Sequence, residues 1–406
     1  MVRLRRWLPV AIWIAVIYTT IPLTARLSRW FADRWDSKLL TWLVIAVLIG
    51  GVAGVAAVLG RHRRSLRSGA ALWIVTVAAV LALWAYSLRR SPEEAVHLPE
   101  YGVLAILLWR ALRPTVPDVM VFVAAALAGC LVGTVDEIIQ WLTPSRLWDW
   151  RDVVLNGGAG ALIQLLLWRI VPHDPGPIDR RSLRLVARLA AAQLTLIGLC
   201  LTNTPTMVAR YAPLLPGGDL LASSHNPMAE YGYRHEVDGV GVFFSRLTLA
   251  ELAAEDRARG AEVGGIVDDW KHRYSAFLDT WSVADDPFTY ELRIHLFSRD
   301  RTLGKARQRE FTGADAVEQV TVAWFENRLI ERVFPSSLAH SSYRWPPRLE
   351  RRLESLHDPD HRFVSAAGSH LITVASQPVV LGVIGALVVA LLVADRLLGR
   401  YDRGRP

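Results

Sequence analysis

A succession of apolar runs, each close to the length that crosses a bilayer, constrains this chain most. A spanning helix takes about 20 mostly apolar residues. In a lipid core only a helix or a closed barrel satisfies its own backbone. Runs of this kind cover residues 7–23, 39–60, 70–88, 97–112, 118–142, 153–171, 183–201 and 378–394. The fourth is short, and the seventh carries Arg184, Arg188 and Gln193. The pattern predicts an α-helical polytopic membrane protein of about 8 transmembrane helices.

The runs do not account for the whole chain. Of its 406 residues, 52% are hydrophobic, and the mean hydropathy is +0.25. These values describe a chain partly in the bilayer and partly in water. A net charge of +8 suits nucleic acid. Here, however, the arginines gather between apolar runs, as topology signals do, and no nucleic-acid partner is expected. The 16 Trp fit interfacial belts. Cys130 and Cys200 fall inside apolar runs and read as inert packing thiols. Arg3, Arg5 and Arg6 precede the first run with no small-residue cleavage site after it, so that run reads as a signal anchor.

Flanking charge gives a direction. Arg3, Arg5 and Arg6, then Arg61, Arg63, Arg64 and Arg67, then Arg110 and Arg113, then Arg180, Arg181 and Arg184, and finally Arg396, Arg400 and Arg403 fall on alternate sides of successive runs. If all are cytoplasmic, eight spans place both termini inside a bacterial plasma membrane. The loop with Arg26, Arg29, Arg34 and Lys38 runs against this rule, partly offset by Asp33 and Asp36.

The expected parts are a transmembrane domain over 1–171, a seventh helix and connector over 172–201, an extracytoplasmic soluble α+β domain over 202–376 inserted before the last helix, and a C-terminal helix with a basic tail over 377–406. Within 202–376, Thr248 and Glu251 have capping-box spacing. Residues 290–297 alternate, Leu292, Ile294 and Leu296 against Glu291, Arg293 and His295, which predicts a strand. Val317, Val320 and Trp324 fall at helical spacing. His225 and His235 border a Gly- and Tyr-rich stretch and read as loop residues. Ser223, Ser224 and His225 lack an identifiable acid for a triad. His357 and His361 flank Pro359, which breaks the helix that a metal pair needs. There is no Walker or Rossmann fingerprint.

The chemistry-bearing residues concentrate between 94 and 160. Glu94, His97 and Tyr101 take one helical face at i, i+3 and i+7. Gly129, Gly133, Asp136 and Gln140 form a second stripe, whose G-x-x-x-G admits a close neighbour. Asp149, Asp152, Asn156 and Gly160 form a third. Glu137 adjoins Asp136, and Arg146 lies in the turn between the last two stripes. The topology brings all three to the outer membrane face. Such a set suits a hard divalent cation held by carboxylates and amides, an acid–base step at His97, Asp136, Glu137 or Asp152, or an oxyanion gripped by Arg146. It equally suits a network of ion pairs that only ties the hairpin together.

Glu94-Ala-Val-His97-Leu-Pro-Glu-Tyr101, Asp136-Glu137-Ile-Ile-Gln140, Pro144-Ser-Arg146, Asp149, Asp152 and Asn156-Gly resemble the VanZ-like family, whose pattern has a His and Tyr opening one helix, then D-E-x-x-Q, P-x-R, acids and N-x-x-G. The resemblance covers about residues 1–171, mainly 90–165. One position departs: Glu94 stands where the family often has Lys. The resemblance implies an envelope membrane protein, with members linked to teicoplanin-type glycopeptide resistance. It supplies no agreed chemistry and does not reach 202–376.

Three functions follow as alternatives. In the first, the cluster binds or modifies a lipid-linked or lipid-embedded envelope component, with Glu94, Tyr101, Gln140, Arg146, Asp149 and Asn156 as contacts and 202–376 offering a surface to an envelope protein. The second is an acid–base or metal-assisted enzyme acting on a lipid headgroup. The third is a transporter, which the gathering of charge at one membrane face disfavours. The topology is open to a direct measurement. Reporter fusions at Asp300 and Pro406 are expected to read outside and cytoplasm respectively, and a cytoplasmic Asp300 fusion would change the span count by one.

Overall fold

The computed structural model describes residues 2–34, 37–60, 69–89, 92–143, 148–171, 176–216, 218 and 227–403. The chain divides into two compact units, one of Met1–Cys200 with Gly382–Pro406, the other of Leu201–Leu381. The first contains α1 (Val2–Arg34), α2 (Ser37–Gly60), α3 (Ala70–Ser87), the short α4 (Pro92–Ala95), α5 (His97–Leu112), α6 (Met120–Trp141), α7 (Trp150–Ile170) and most of α8 (Arg180–Thr202). The last helix, α16 (Gln377–Arg403), returns to it.

Among the described residues five helices, α3, α6, α7, α8 and α16, are long and apolar enough to cross a membrane. They make the chain a membrane protein by length and composition. The count falls short of eight for a geometric reason at α5. Its 16 residues rise about 24 Å at 1.5 Å each, less than the ~30 Å of a hydrocarbon core. In α2 the apolar stretch found among the described residues is Thr41–Gly51.

The core of the first unit lies where α5, α6 and α7 meet, around Leu104, Ala105, Leu108, Ala124, Ala125, Ala159 and Ile163. Small residues bring the backbones close. A Cβ on Gly133 would lie 2.8 Å from Asn156 Cβ and 3.3 Å from Tyr101, and one on Gly157 would lie 2.9 Å from Cys130 Sγ. At Gly129 it would meet Leu108 at 3.8 Å, an ordinary contact. Only Gly133 of that G-x-x-x-G pair therefore stands at a close approach. Gln193 of α8 donates to Thr134 Oγ1 of α6 at 2.9 Å. Arg184 and Arg188 of α8 reach Asp395 of α16 at 2.9 and 3.0 Å.

The second unit is largely helical. After α9 (Pro205–Tyr211) come β1 (Tyr233–Val237) and β2 (Gly241–Ser245), then α10 (Leu249–Asp269), α11 (Tyr274–Thr280), α12 (Pro287–Gln308), α13 (Ala314–Val333), α14 (Pro335–Ala339) and α15 (Pro347–Glu354). The strands pair antiparallel with Tyr233 opposite Ser245. Thr248 and Glu251 form the capping box that starts α10. Residues 290–297, expected as a strand, lie inside α12. Asp286 caps it, with Pro287 in its first turn. The alternation misleads because the helix is buried almost all round, and each polar side chain has a partner. Glu291 accepts from Ser245 Oγ at 2.5 Å and Arg246 N at 2.7 Å. Arg293 donates to the Trp270 and Lys271 carbonyls at 3.1 and 3.2 Å, just past the C-terminus of α10, where a cation is favoured. His295 Nδ1 stands 2.5 Å from Glu326. His235, expected in a loop, is on β1. Among the described residues the β content is that one hairpin with isolated bridges. Ser223, Ser224 and His225 lie outside the described residues.

Asp256 fastens α14 to α10. It accepts from Ser336 N, Ser337 N and Ser337 Oγ at 2.8, 2.9 and 2.7 Å, and is 2% exposed. Asp256→Ala leaves those donors unpaired and is expected to cost about 1–3 kcal/mol. Thermal unfolding of the detergent-solubilised chain, with limited proteolysis mapped to 201–381, checks it. An unchanged melting temperature and cleavage pattern would show that the contact is dispensable.

Candidate functional site

The start of α5, the end of α6 and the start of α7 come together at one end of the first unit. Asp149, in an extended conformation, caps α7 and accepts from Arg151 N at 2.7 Å. This sets Asn156 two turns further along, facing α6. Gly133 removes the side chain that would hold α7 and Tyr101 away.

Five polar side chains meet in that contact. Asp136, Glu137 and Asn156 are 0% exposed, Tyr101 1% and Gln140 3%. Tyr101 Oη donates to Asp136 Oδ2 at 3.0 Å. Gln140 Nε2 donates to Glu137 Oε1 at 2.9 Å and reaches Asp136 Oδ2 at 3.5 Å, so one amide spans both carboxylates. Asn156 Nδ2 donates to Glu137 Oε1 at 3.3 Å. Asp136 Oδ1 and Asn156 Oδ1 are buried with no hydrogen-bond partner among the described residues, a condition that few buried polar atoms share.

The other candidates take different places. His97 is one turn before Tyr101, with ring centroids 6.2 Å apart, and its Nδ1 lies 3.4 Å from Glu100 without hydrogen-bond alignment. Glu94 does not continue that face. It belongs to α4, and a turn at Val96 separates it from α5. Glu94 and Asp152 instead border a separate cavity with Trp84 and Trp150. Asp149 is engaged as the helix cap. Arg146 lies outside the described residues. Among the described residues no group of three or more His, Cys, Asp or Glu is arranged to hold a metal ion. The quartet Asp136, Glu137, Asp149 and Asp152 is thus not gathered as ligands.

Several neighbours escape a reading by motif. Tyr18 Oη of α1 donates to Val132 O at 3.0 Å, and Trp13 Nε1 donates to Glu100 O at 2.9 Å. Both bring α1 against the cluster from within an ordinary apolar run. Gln193, a polar residue inside an apolar run, carries such a signal, and its partner Thr134 lies two residues before Asp136.

Residues 83–172 match the model of the VanZ/LLP1 family. The match agrees with the VanZ-like resemblance, is narrower than 1–171, and contains all ten candidate residues. No curated protein and no solved structure matches the chain.

The close approach at Gly133 makes a separable prediction. Gly133→Val overpacks the contact among Asn156, Tyr101 and α6, at an expected cost of about 1–3 kcal/mol. Gly129→Ala is expected to leave stability nearly unchanged. Membrane accumulation and thermal unfolding in detergent compare the two, and equal behaviour would contradict the α6–α7 geometry.

Proposed function

We propose that this VanZ/LLP1-like protein of the cell envelope binds a lipid-linked or lipid-embedded component at the Tyr101–Asp136–Glu137–Gln140–Asn156 cluster. In this reading the chain sits in the bacterial plasma membrane with about eight spans and both termini in the cytoplasm. The cluster faces outward, and the second unit adds a surface for an envelope protein. One observation carries the proposal: Asp136 Oδ1 and Asn156 Oδ1, buried beside the carboxylate pair, lack donors among the described residues. Ionisable groups at membrane depth are costly and usually functional. A ligand bearing hydroxyl or amine donors, as glycan and headgroup moieties do, meets both oxygens. The family resemblance connects such a role with glycopeptide resistance of the teicoplanin type.

A second reading rests on His97. It stands beside Glu100 and one turn from the Tyr101–Asp136 bond, an arrangement suited to moving a proton to or from a bound headgroup. Product formation from the bound component would distinguish this reading from binding alone.

Asp136→Asn keeps the shape and removes the charge. Arg146→Lys keeps the charge and removes the planar fork that grips oxyanions. Each is expected to abolish the envelope phenotype, read as glycopeptide susceptibility, at unchanged protein level. If the cluster only holds the helices together, a broken partner costs about 3–5 kcal/mol and the protein is degraded. Rescue of such low levels by neutralising both Asp136 and Arg146 would retire the proposal.

A further inference from the structure

Two hollows of the first unit lie in line along the seam between α3 and α7. One is a cavity of about 370 Å³, bordered by Trp84 of α3 and Leu88 just past its end, Glu94 of α4, and Trp150, Arg151 and Asp152 of α7. That volume falls in the usual range of small-ligand sites, about 300–1,000 Å³. The other is a groove bordered, among the described residues, by apolar side chains and glycines alone, including Val47 and Gly51 of α2, Leu81 of α3, Leu98 and Gly102 of α5, and Ile163 of α7. The helices α3 and α7 fix their spacing. Leu81 is one turn from Trp84. Leu155, which also borders the cavity, is eight residues before Ile163, about 12 Å at 1.5 Å per residue. The cavity is at the end of the unit where α7 begins, and the groove runs inward from it.

The cavity has the chemistry of a cation site. Indole faces attract ammonium groups, and Glu94 and Asp152 bring carboxylates to the same walls. Both indoles are held in place. Trp84 packs on Gly158, where a Cβ would come within 2.7 Å of the ring. Trp150 meets Trp148 edge-on at 5.1 Å. Arg151, exposed on the rim, offers a fork to an adjoining phosphate. A hydrocarbon-lined groove opening one to two turns from a cavity suited to an ammonium and a phosphate fits one class of amphiphile.

We propose that the α3–α7 seam binds a zwitterionic phospholipid with a primary-ammonium headgroup. The ammonium lies among Trp84, Glu94, Trp150 and Asp152, the phosphate at Arg151, and an acyl chain in the groove. The inference rests on the reading that this protein handles a lipidic envelope component, and it adds a second lipid site separate from the Asp136–Glu137 cluster.

The full-length protein in detergent is incubated with an equimolar mixture of phosphatidylethanolamine and phosphatidylglycerol, and bound lipid is read by native mass spectrometry. Wild type is expected to retain the ethanolamine lipid about tenfold over the glycerol lipid. Glu94→Lys is expected to bring that ratio to parity or invert it. Gly51→Leu fills the groove from a position with nothing within 4 Å, and should lower total retention several-fold at an unchanged melting temperature. Glu94→Gln serves as the shape-preserving control and should give an intermediate ratio. Equal ratios for wild type and Glu94→Lys, or full retention by Gly51→Leu, overturn the proposal. If retention is instead lost in Asp136→Asn alone, this site is wrong and the binding function stands. If wild type retains no lipid, both fail.

Discussion

Two adjacent carboxylates, Asp136 and Glu137, are removed from water completely inside an otherwise apolar helix. Charge in a low-dielectric place is tolerated only with hydrogen bonds around it, and much of the first unit is arranged to supply them. Tyr101 comes from α5, Asn156 from α7 and Gln140 from the next turn of the same helix. Delivering Tyr101 and Asn156 to the same spot requires the backbones to close up, which is why position 133 holds no side chain. Asp149, by capping α7, fixes where Asn156 falls. The pair therefore dictates the helix contacts as much as the contacts house the pair.

That arrangement was legible where sequence spacing and three-dimensional neighbourhood coincide. Asp136, Gln140 and Gly133 share one face of one helix, and 3.6-residue periodicity finds them. Tyr101 and Asn156 lie on other helices, and the topology read from flanking charge brought their stripes to the same membrane face, while their contacts were not legible. Glu94 shows where periodicity fails: one turn at Val96 ends the face it was assigned to. The partners from α1 left no trace, because Tyr18 and Trp13 look like any interfacial aromatics in an apolar run.

In the second unit the error at 290–297 has a different cause. Periodicity detects a helix by its wet side, and α12 has almost none there. Glu291, Arg293 and His295 are 4%, 2% and 1% exposed. Their partners, Ser245, the end of α10 and Glu326, are distant in sequence, so nothing local separates a two-faced strand from a helix buried all round. The starting signal at Thr248 and Glu251 is local and was the more dependable guide, and Asp286 followed by Pro287 is a signal of the same local kind.

The ion pairs between α8 and α16 carry a consequence for biogenesis. Arg184 and Asp395 are separated by 211 residues of chain. At about 5–20 residues per second, the ribosome needs about 10–40 s to reach the partner after making the arginine. Through that interval Arg184 and Arg188 of α8 wait for Asp395 while the whole second unit is made. Docking of α16 is thus the closing act of synthesis, and a chain that stalls before Asp395 leaves α8 without the helix that its arginines grip.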